Sequence, residues 1–223
     1  ERVAETAIRS GRKPEDITIV CASKGQPAGK AVAAVSAGAR IFGENYLQEG
    51  LDKIAETKQM LLEMGTVDPR SVDYIRWHFI GGIQSNKARR VAENFDLIHS
   101  LNSLKVADIF NRWGVDNEKP LPVLIEINLG YEQNKEGIPP KELEDFLNQT
   151  RYYPLVRVHG LMTVPPYGSN PEGSRPYIAK LAELNRRYQL PKLSMGMSAD
   201  FEVAIEEGAN MVRIGTAIFG ERG

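Results

Sequence analysis

Short apolar runs of strand length alternate along the chain with longer stretches whose apolar residues recur at helical spacing. The spacing predicts a first helix to about Ser10, stopped by Gly11-Arg12-Lys13-Pro14. Residues 17–23 read as the first strand. Pro27 opens a short helix with Ala31, Val32 and Val35 on one face, closed at Gly38. Residues 40–43 form the second strand. A long amphipathic helix follows over 45–64, with Leu47, Leu51, Ile54, Leu61 and Leu62 near helical spacing. Asp68-Pro69-Arg70 is a surface loop. The third strand spans 74–80, with a helix at 85–94. The fourth spans 97–100, with a helix at 102–113. The fifth, 122–128, leads into a loop carrying Lys135 and Gly137 and a helix from Pro140 to about Thr150. The sixth, 156–164, is followed by the loop 165–170 and a helix over 171–188. The seventh, 192–195, precedes a helix capped by Ser198 and ended by Gly208, and the eighth is 211–214.

Eight strands, each followed by a helix or a short terminal segment, predict an α/β fold: one (β/α)8 TIM-type barrel of parallel strands. The 223 residues lie near the small end for that fold and read as a single domain, 1–223, without a C-terminal β-domain. A doubly wound open sheet is the alternative. Its dinucleotide-binding version is disfavoured by the lack of an early Gly-x-Gly-x-x-Gly. No linker, internal repeat or low-complexity tract divides the chain.

Composition removes several function classes. A net charge of −1 provides no bulk field for nucleic acid or an anionic membrane. No apolar run approaches the ~20 residues of a membrane span. Cys21 is the sole cysteine, so an intramolecular disulfide is impossible and a cytoplasmic setting is expected. The chain opens in what reads as mid-helix, with no signal-peptide pattern. No exposed apolar helix face demands assembly, so a monomer is expected.

The candidate chemistry begins at Lys24, delivered by the first strand to its C-terminal mouth. Desolvation there would lower its pKa and free a neutral amine for nucleophilic or Schiff-base chemistry. The bland alternative is a solvated strand-end lysine. In a (β/α)8 barrel, phosphate commonly binds in the loops after strands 7 and 8. Strand counting places Met195 to Ser198 after the seventh strand and Gly215-Thr216 after the eighth. Ser198 offers a hydroxyl at a helix start, although a plain cap is the alternative. Gly215 lets backbone approach an anion, and Thr216 adds an N–H and a hydroxyl. A lysine facing a phosphate cradle suggests pyridoxal phosphate. Arg213, if inward, could reach the pyridine nitrogen of such a cofactor and keep it unprotonated. If outward, it would pair with Glu206 or Glu207. Asn45, after Gly43-Glu44, either contacts the cofactor or caps the long helix. His78 reads as a core histidine. His78, His99 and His159 stand far apart without zinc-ligand spacing, so no metal is expected. Gln84-Ser85-Asn86-Lys87 either lines the mouth or is solvated.

Taken in order, these segments resemble the pyridoxal phosphate homeostasis proteins over essentially the whole chain. The resemblance is carried by Ala22-Ser23-Lys24, by residues 43–49 (Gly-Glu-Asn-Tyr-Leu-Gln-Glu) and by 77–81 (Trp-His-Phe-Ile-Gly). It continues through 84–87, 160–162 and 193–200, and ends with 212–220 (Val-Arg-Ile-Gly-Thr-Ala-Ile-Phe-Gly). The family is a single-domain relative of the fold-type III alanine racemase barrel. The resemblance implies that Lys24 is the Schiff-base lysine and that Ser198, Gly215 and Thr216 hold the phosphate. It places Arg213 opposite the pyridine nitrogen and Asn45 near the ring. Two departures concern the entrance: Gly25-Gln26-Pro27 follows the lysine, and His159 stands where the family commonly has arginine.

The expected function is therefore pyridoxal 5'-phosphate binding in intracellular vitamin B6 and amino-acid homeostasis, without established catalytic turnover. Expected partners are the cofactor, pyridoxal phosphate-dependent apoenzymes and free amino acids, with no nucleic acid and no membrane. One alternative is a racemase-like enzyme. Alanine racemases draw a second base from a C-terminal β-domain, and here no tyrosine follows Tyr188. The other is a sugar-phosphate lyase using Lys24, for which no acid–base carboxylate is evident.

Overall fold

The computed structural model of the chain describes residues 1–65, 73–130, 136–166 and 170–221. The surface loop expected at 68–70, Lys135 and residues 167–169, the last two also expected in loops, lie outside the described residues. The strands are β1 (Thr18–Ala22), β2 (Ile41–Glu44), β3 (Arg76–Phe79), β4 (Leu97–Leu101), β5 (Leu121–Glu126), β6 (Val156–Met162), β7 (Lys192–Ser194) and β8 (Met211–Ile214). They close a barrel in chain order, and every pairing is parallel. The helices are α1 (Arg2–Arg9), α2 (Ala28–Ser36), α3 (Leu47–Met64), α4 (Ala88–Asn94), α5 (Leu104–Asp116), α6 (Leu143–Thr150), α7 (Arg175–Arg187), α8 (Phe201–Glu206) and α9 (Thr216–Phe219). The (β/α)8 expectation is met. No helix among the described residues is long and apolar enough to cross a membrane.

Strands covered on both faces read as unbroken apolar runs. In β5, Val123, Leu124 and Ile125 are all fully buried. Leu124 joins Val20, Leu97, Met162 and Met211 in one cluster, whereas Val123 and Ile125 belong to the larger cluster that includes the helices. Each fully buried aliphatic side chain contributes roughly 1.5–3 kcal/mol. The strands are mostly shorter than their apolar runs. Ile75 and Ile80 lie outside β3, for instance, because an apolar residue can pack just past the ladder, while Tyr74, also expected in the strand, is exposed.

Three local differences arise from tertiary context. Single 3-10 turns at Ser85–Lys87, Pro140–Glu142 and Pro171–Ser174 precede α4, α6 and α7. In α3 the buried stripe runs through Leu47, Gly50, Lys53, Thr57 and Leu61, while Leu62 is exposed. The apolar spacing alone misplaced that stripe, because two of its members are polar. In β6, Val123 faces Val158 but Leu124 faces Gly160, so His159 is an inserted residue and lies exposed.

Gly160 pairs with Lys192 across β6 and β7, and a Cβ built on it would lie 1.9 Å from the Lys192 carbonyl oxygen. Gly160→Ala must therefore push the two strands apart. The expected cost is on the order of 1–3 kcal/mol, as for other overpacked interiors. Urea unfolding should show a lower midpoint at an unchanged slope.

Candidate functional site

The chain leaves β1 through Ser23 and reaches Lys24, which is half-buried in a turn closed by the Gln26 N–H donating to the Ser23 carbonyl. Pairing of Cys21 with Ile214 sets the end of β1 beside the end of β8. A Cβ on Gly215 would sit 3.1 Å from the Ala22 carbonyl oxygen, so a side chain there would crowd β1. Lys24 and Gly215-Thr216 are thus neighbouring strand exits.

Ser198 does not cap the helix after β7. That helix, α8, starts at Phe201 with Asp200 in the N-cap position, and Asp200 Oδ1 accepts the Met197 N–H at 2.7 Å. The Ser198 hydroxyl turns instead to the start of α9. There its oxygen accepts the N–H groups of Gly215 at 3.1 Å and Ala217 at 3.3 Å. Gly196 carries the chain into this loop at φ +89°, where a Cβ would lie 2.5 Å from that of Ala204. The oxygen occupies the direction from which an anion would approach the same two donors. Thr216, the first residue of α9, is exposed.

Arg213 is buried at 4% exposure and points inward. It donates to Ser194 Oγ at 2.6 Å and to the Thr163 carbonyl at 2.8 Å. The outward alternative fails because Glu206 and Glu207 are taken by Arg175. No carboxylate lies within ion-pair distance of Arg213 among the described residues. Burial lowers its pKa to about 10, opposed by the fields of Glu126 and Asp200, so it remains a cation at neutral pH.

His78 and His99 are separated in sequence but not in space. His78 and His99 are buried, with His99 Nε2 at 3.0 Å from His78 Nδ1 and His99 Nδ1 at 2.9 Å from Ser194 Oγ. The expectation that all three histidines stand apart is corrected, since β3 and β4 are adjacent and both rings face inward. Because Arg213 can only donate to Ser194, the arrangement that gives the serine proton an acceptor sends it to His99 Nδ1. His99 Nε2–H then donates to His78. Burial, chiefly, lowers the His78 pKa to about 3 and that of His99 well below its usual value, so both rings are neutral.

Asn45 follows β2 but does not cap α3. Tyr46 holds the N-cap position, and no side chain caps the helix. The Asn45 Oδ1 atom is buried without a hydrogen-bond partner among the described residues. The residue lines two cavities, of about 270 and 410 Å³, shared with Gly82 and Glu136. Exposed Gln84 and Lys87 line the second, so the polar cluster is both solvated and at the mouth. Glu126, at the end of β5, lines the first. Its carboxyl is raised to about 7, mainly by burial and also by Glu136. A larger cavity of about 630 Å³ lies on β6 between α6 and α7, at the opposite end of that strand. The structure therefore gathers Lys24, Ser198, Gly215 and Thr216 at the β1, β7 and β8 exits, with Arg213 two residues deeper. Asn45 stands on the β2 side.

A further group escaped sequence reading. Lys53 is buried at 4% exposure and its ammonium donates to Glu44 at 2.7 Å, Glu49 at 3.0 Å and the Ser23 carbonyl at 2.5 Å. Ser23 donates its hydroxyl proton to Glu44 at 2.5 Å. Burial raises the Glu44 pKa against the hydrogen bonds from Lys53 and Ser23. The signal available in the sequence was the Glu49–Lys53 spacing of four on α3.

The family described as "Alanine racemase, N-terminal domain" matches residues 9–223. Within it, the chain belongs to the pyridoxal phosphate homeostasis proteins. It is 41% identical over 227 residues to the Escherichia coli strain K12 protein of that name, covering all of this chain and 93% of the relative. The Aquifex aeolicus protein of that name is 42% identical, with 100% and 94% covered. Among solved structures, PipY of Synechococcus elongatus with PLP bound superposes with a TM-score of 0.81 at 32% identity, covering 98% of this chain and all of that one. Alanine racemase from Corynebacterium glutamicum, at 18% identity and TM-score 0.65, covers 99% of this chain and 60% of its own, and shares the fold.

Glu126 yields a pH prediction. Its pKa is raised on folding, so the folded state binds more protons, and stability falls as pH rises from about 4.5 to about 7. Glu126→Gln removes that loss. It should match the parent at pH 4 and exceed it at pH 8 by on the order of 1–3 kcal/mol in urea unfolding.

Proposed function

We propose that the chain binds pyridoxal 5'-phosphate at this rim as a reversible Schiff base to Lys24 and serves vitamin B6 and amino-acid homeostasis as a carrier. The cofactor supplies an aldehyde that condenses with a primary amine and releases water. In this reading the N–H groups of Gly215 and Thr216 and the hydroxyls of Ser198 and Thr216 hold the phosphate. Arg213 faces the ring nitrogen, and Asn45 takes a ring substituent through its unpartnered Oδ1. The observation that carries the reading is Arg213. A guanidinium buried without a carboxylate is costly, and an acceptor on a ligand would offset that cost. The anion corner at α9 and the similarity to PipY with PLP bound support the same assignment.

The carrier reading rests on the same residue. A cation opposite the ring nitrogen disfavours protonation there and weakens the cofactor as an electron sink. The names of the relatives agree with it. A racemase-like reading is favoured by one observation: Glu126 titrates near 7 at the mouth, within the range of a general acid or base. Incubation with L-alanine in deuterium oxide separates the two. A carrier gives a spectral change without α-deuterium or D-alanine, and turnover of ~1 s⁻¹ or above overturns it.

Borohydride reduction of the loaded protein should place the cofactor on a Lys24 peptide. Lys24→Ala should abolish that adduct and keep the fold. An adduct on Lys87 or Lys135 in the unsubstituted protein would contradict the assignment. Ser198→Ala and Thr216→Val each remove a hydrogen bond to a dianion, worth ~1.5–3 kcal/mol. Their dissociation constants should rise by roughly one to two decades in an equilibrium fluorescence titration. Unchanged values in both would place the phosphate elsewhere.

A further inference from the structure

We propose that Glu49 and the buried pair Glu44 and Lys53 form a clamp whose task is to position Lys24. The inference rests on Lys24 being the imine-forming lysine, and it assigns three positioning residues to that reaction. Both peptide groups that flank Lys24 are tied to the cluster. On one side, the Ser23 carbonyl accepts from Lys53 at 2.5 Å and the Ser23 hydroxyl donates to Glu44 at 2.5 Å. On the other, the Gly25 N–H donates to Glu49 Oε1 at 2.5 Å. Lys53 joins the two sides, since it also donates to Glu44 and to the same Glu49 oxygen. The bonds run from β1 through β2 and α3 and back to the residue after Lys24.

The composition of the cluster argues for direction over bulk. Lys53 lies in the buried stripe of α3 between Gly50 and Thr57. A leucine there would fill space without the desolvation penalty of an ammonium, and buried ion pairs seldom exceed such a replacement in stability. An ammonium instead provides three donors aimed at fixed points, and all three are used on groups around Lys24. Glu44 is fully buried with Oε2 unpartnered among the described residues, a cost that packing alone does not explain.

The chemistry that benefits is the addition of the Lys24 amine to the aldehyde. A C=N bond forms as the C=O bond and the two N–H bonds of the neutral amine break, and the carbonyl oxygen leaves with those two protons as water. Fixing the backbone on both sides of Lys24 narrows the volume its amine explores, and displacements of about 1 Å can alter rates by about a hundredfold. Phosphate binding at α9 does not pass through the cluster, so the covalent and non-covalent parts of binding should separate.

The test uses Glu49→Gln, Glu49→Leu and Lys53→Met in the full chain with pyridoxal phosphate as the probe. Three quantities are read: cofactor retained after gel filtration, the rate of imine formation by stopped-flow absorbance, and thermal unfolding of the cofactor-free protein. Glu49→Gln keeps an oxygen that can accept from Gly25, so its rate should fall less than that of Glu49→Leu. The leucine and methionine variants should lose roughly ten- to a hundredfold in rate while still retaining cofactor non-covalently. Glu49 is only half-buried, so its variants remain informative if Lys53→Met fails to fold. Parental rates in both Glu49 variants, or losses that merely follow the melting temperature, overturn the clamp. If the parent protein yields no Lys24 adduct, the binding reading falls and the clamp with it; a Lys24 adduct with unaltered rates removes the clamp alone.

Discussion

The first and last strands of the barrel meet as four parallel pairs, from Thr18 opposite Met211 to Cys21 opposite Ile214. Almost the whole length of the chain separates them. This register sets Arg213 opposite Val20 and brings Gly215, the residue after β8, beside Ala22, two residues before Lys24. A slip of one residue would reverse which face each side chain presents. Arg213 would then point toward the helices, and the rim would lose its buried positive charge. Val20 lies in the interior cluster with Leu97, Leu124, Met162 and Met211, so the apolar interior and the polar rim are fixed by one alignment.

Above this alignment the rim divides into two sectors. One, at the β7, β8 and β1 exits, offers backbone donors and a hydroxyl. The other, around Asn45, Glu126 and Glu136, is acidic and contains the cavities. Arg213 lies beneath both, hydrogen-bonded to Ser194 and through it to the two neutral imidazoles. Neutrality of those rings keeps a second positive charge away from the guanidinium in a region of low dielectric.

The fold was legible because a parallel barrel writes itself as repeated apolar runs separated by helical periods, and β5 is the plainest case. The rim was legible where residues adjoin strand ends: Lys24, Arg213, Gly215 and Thr216 lie where strand counting put them. What failed depended on contacts between distant segments. Ser198 reads as a cap for the helix that follows it, yet its hydroxyl serves α9, because the loop after β7 turns across the start of that helix. The His78–His99 contact needs β3 beside β4 with both rings inward, and linear spacing carries no such information. Lys53 was hidden by the assumption that the buried face of α3 is apolar.

The hydroxyl of Ser198 has one more consequence. A bare pair of amides at a helix start would be an indiscriminate trap for any small anion in solution. Here the protein holds its own oxygen against those donors, at 3.1 and 3.3 Å, as a resident competitor. A phosphate bound there as proposed would have to displace or share it, and a monovalent or weakly held ion would gain little by doing so. A dianion attached to a larger body, gripped elsewhere as well, can meet that requirement. In the proposed phosphate site, that resident oxygen would set a threshold favouring attachment at more than one point.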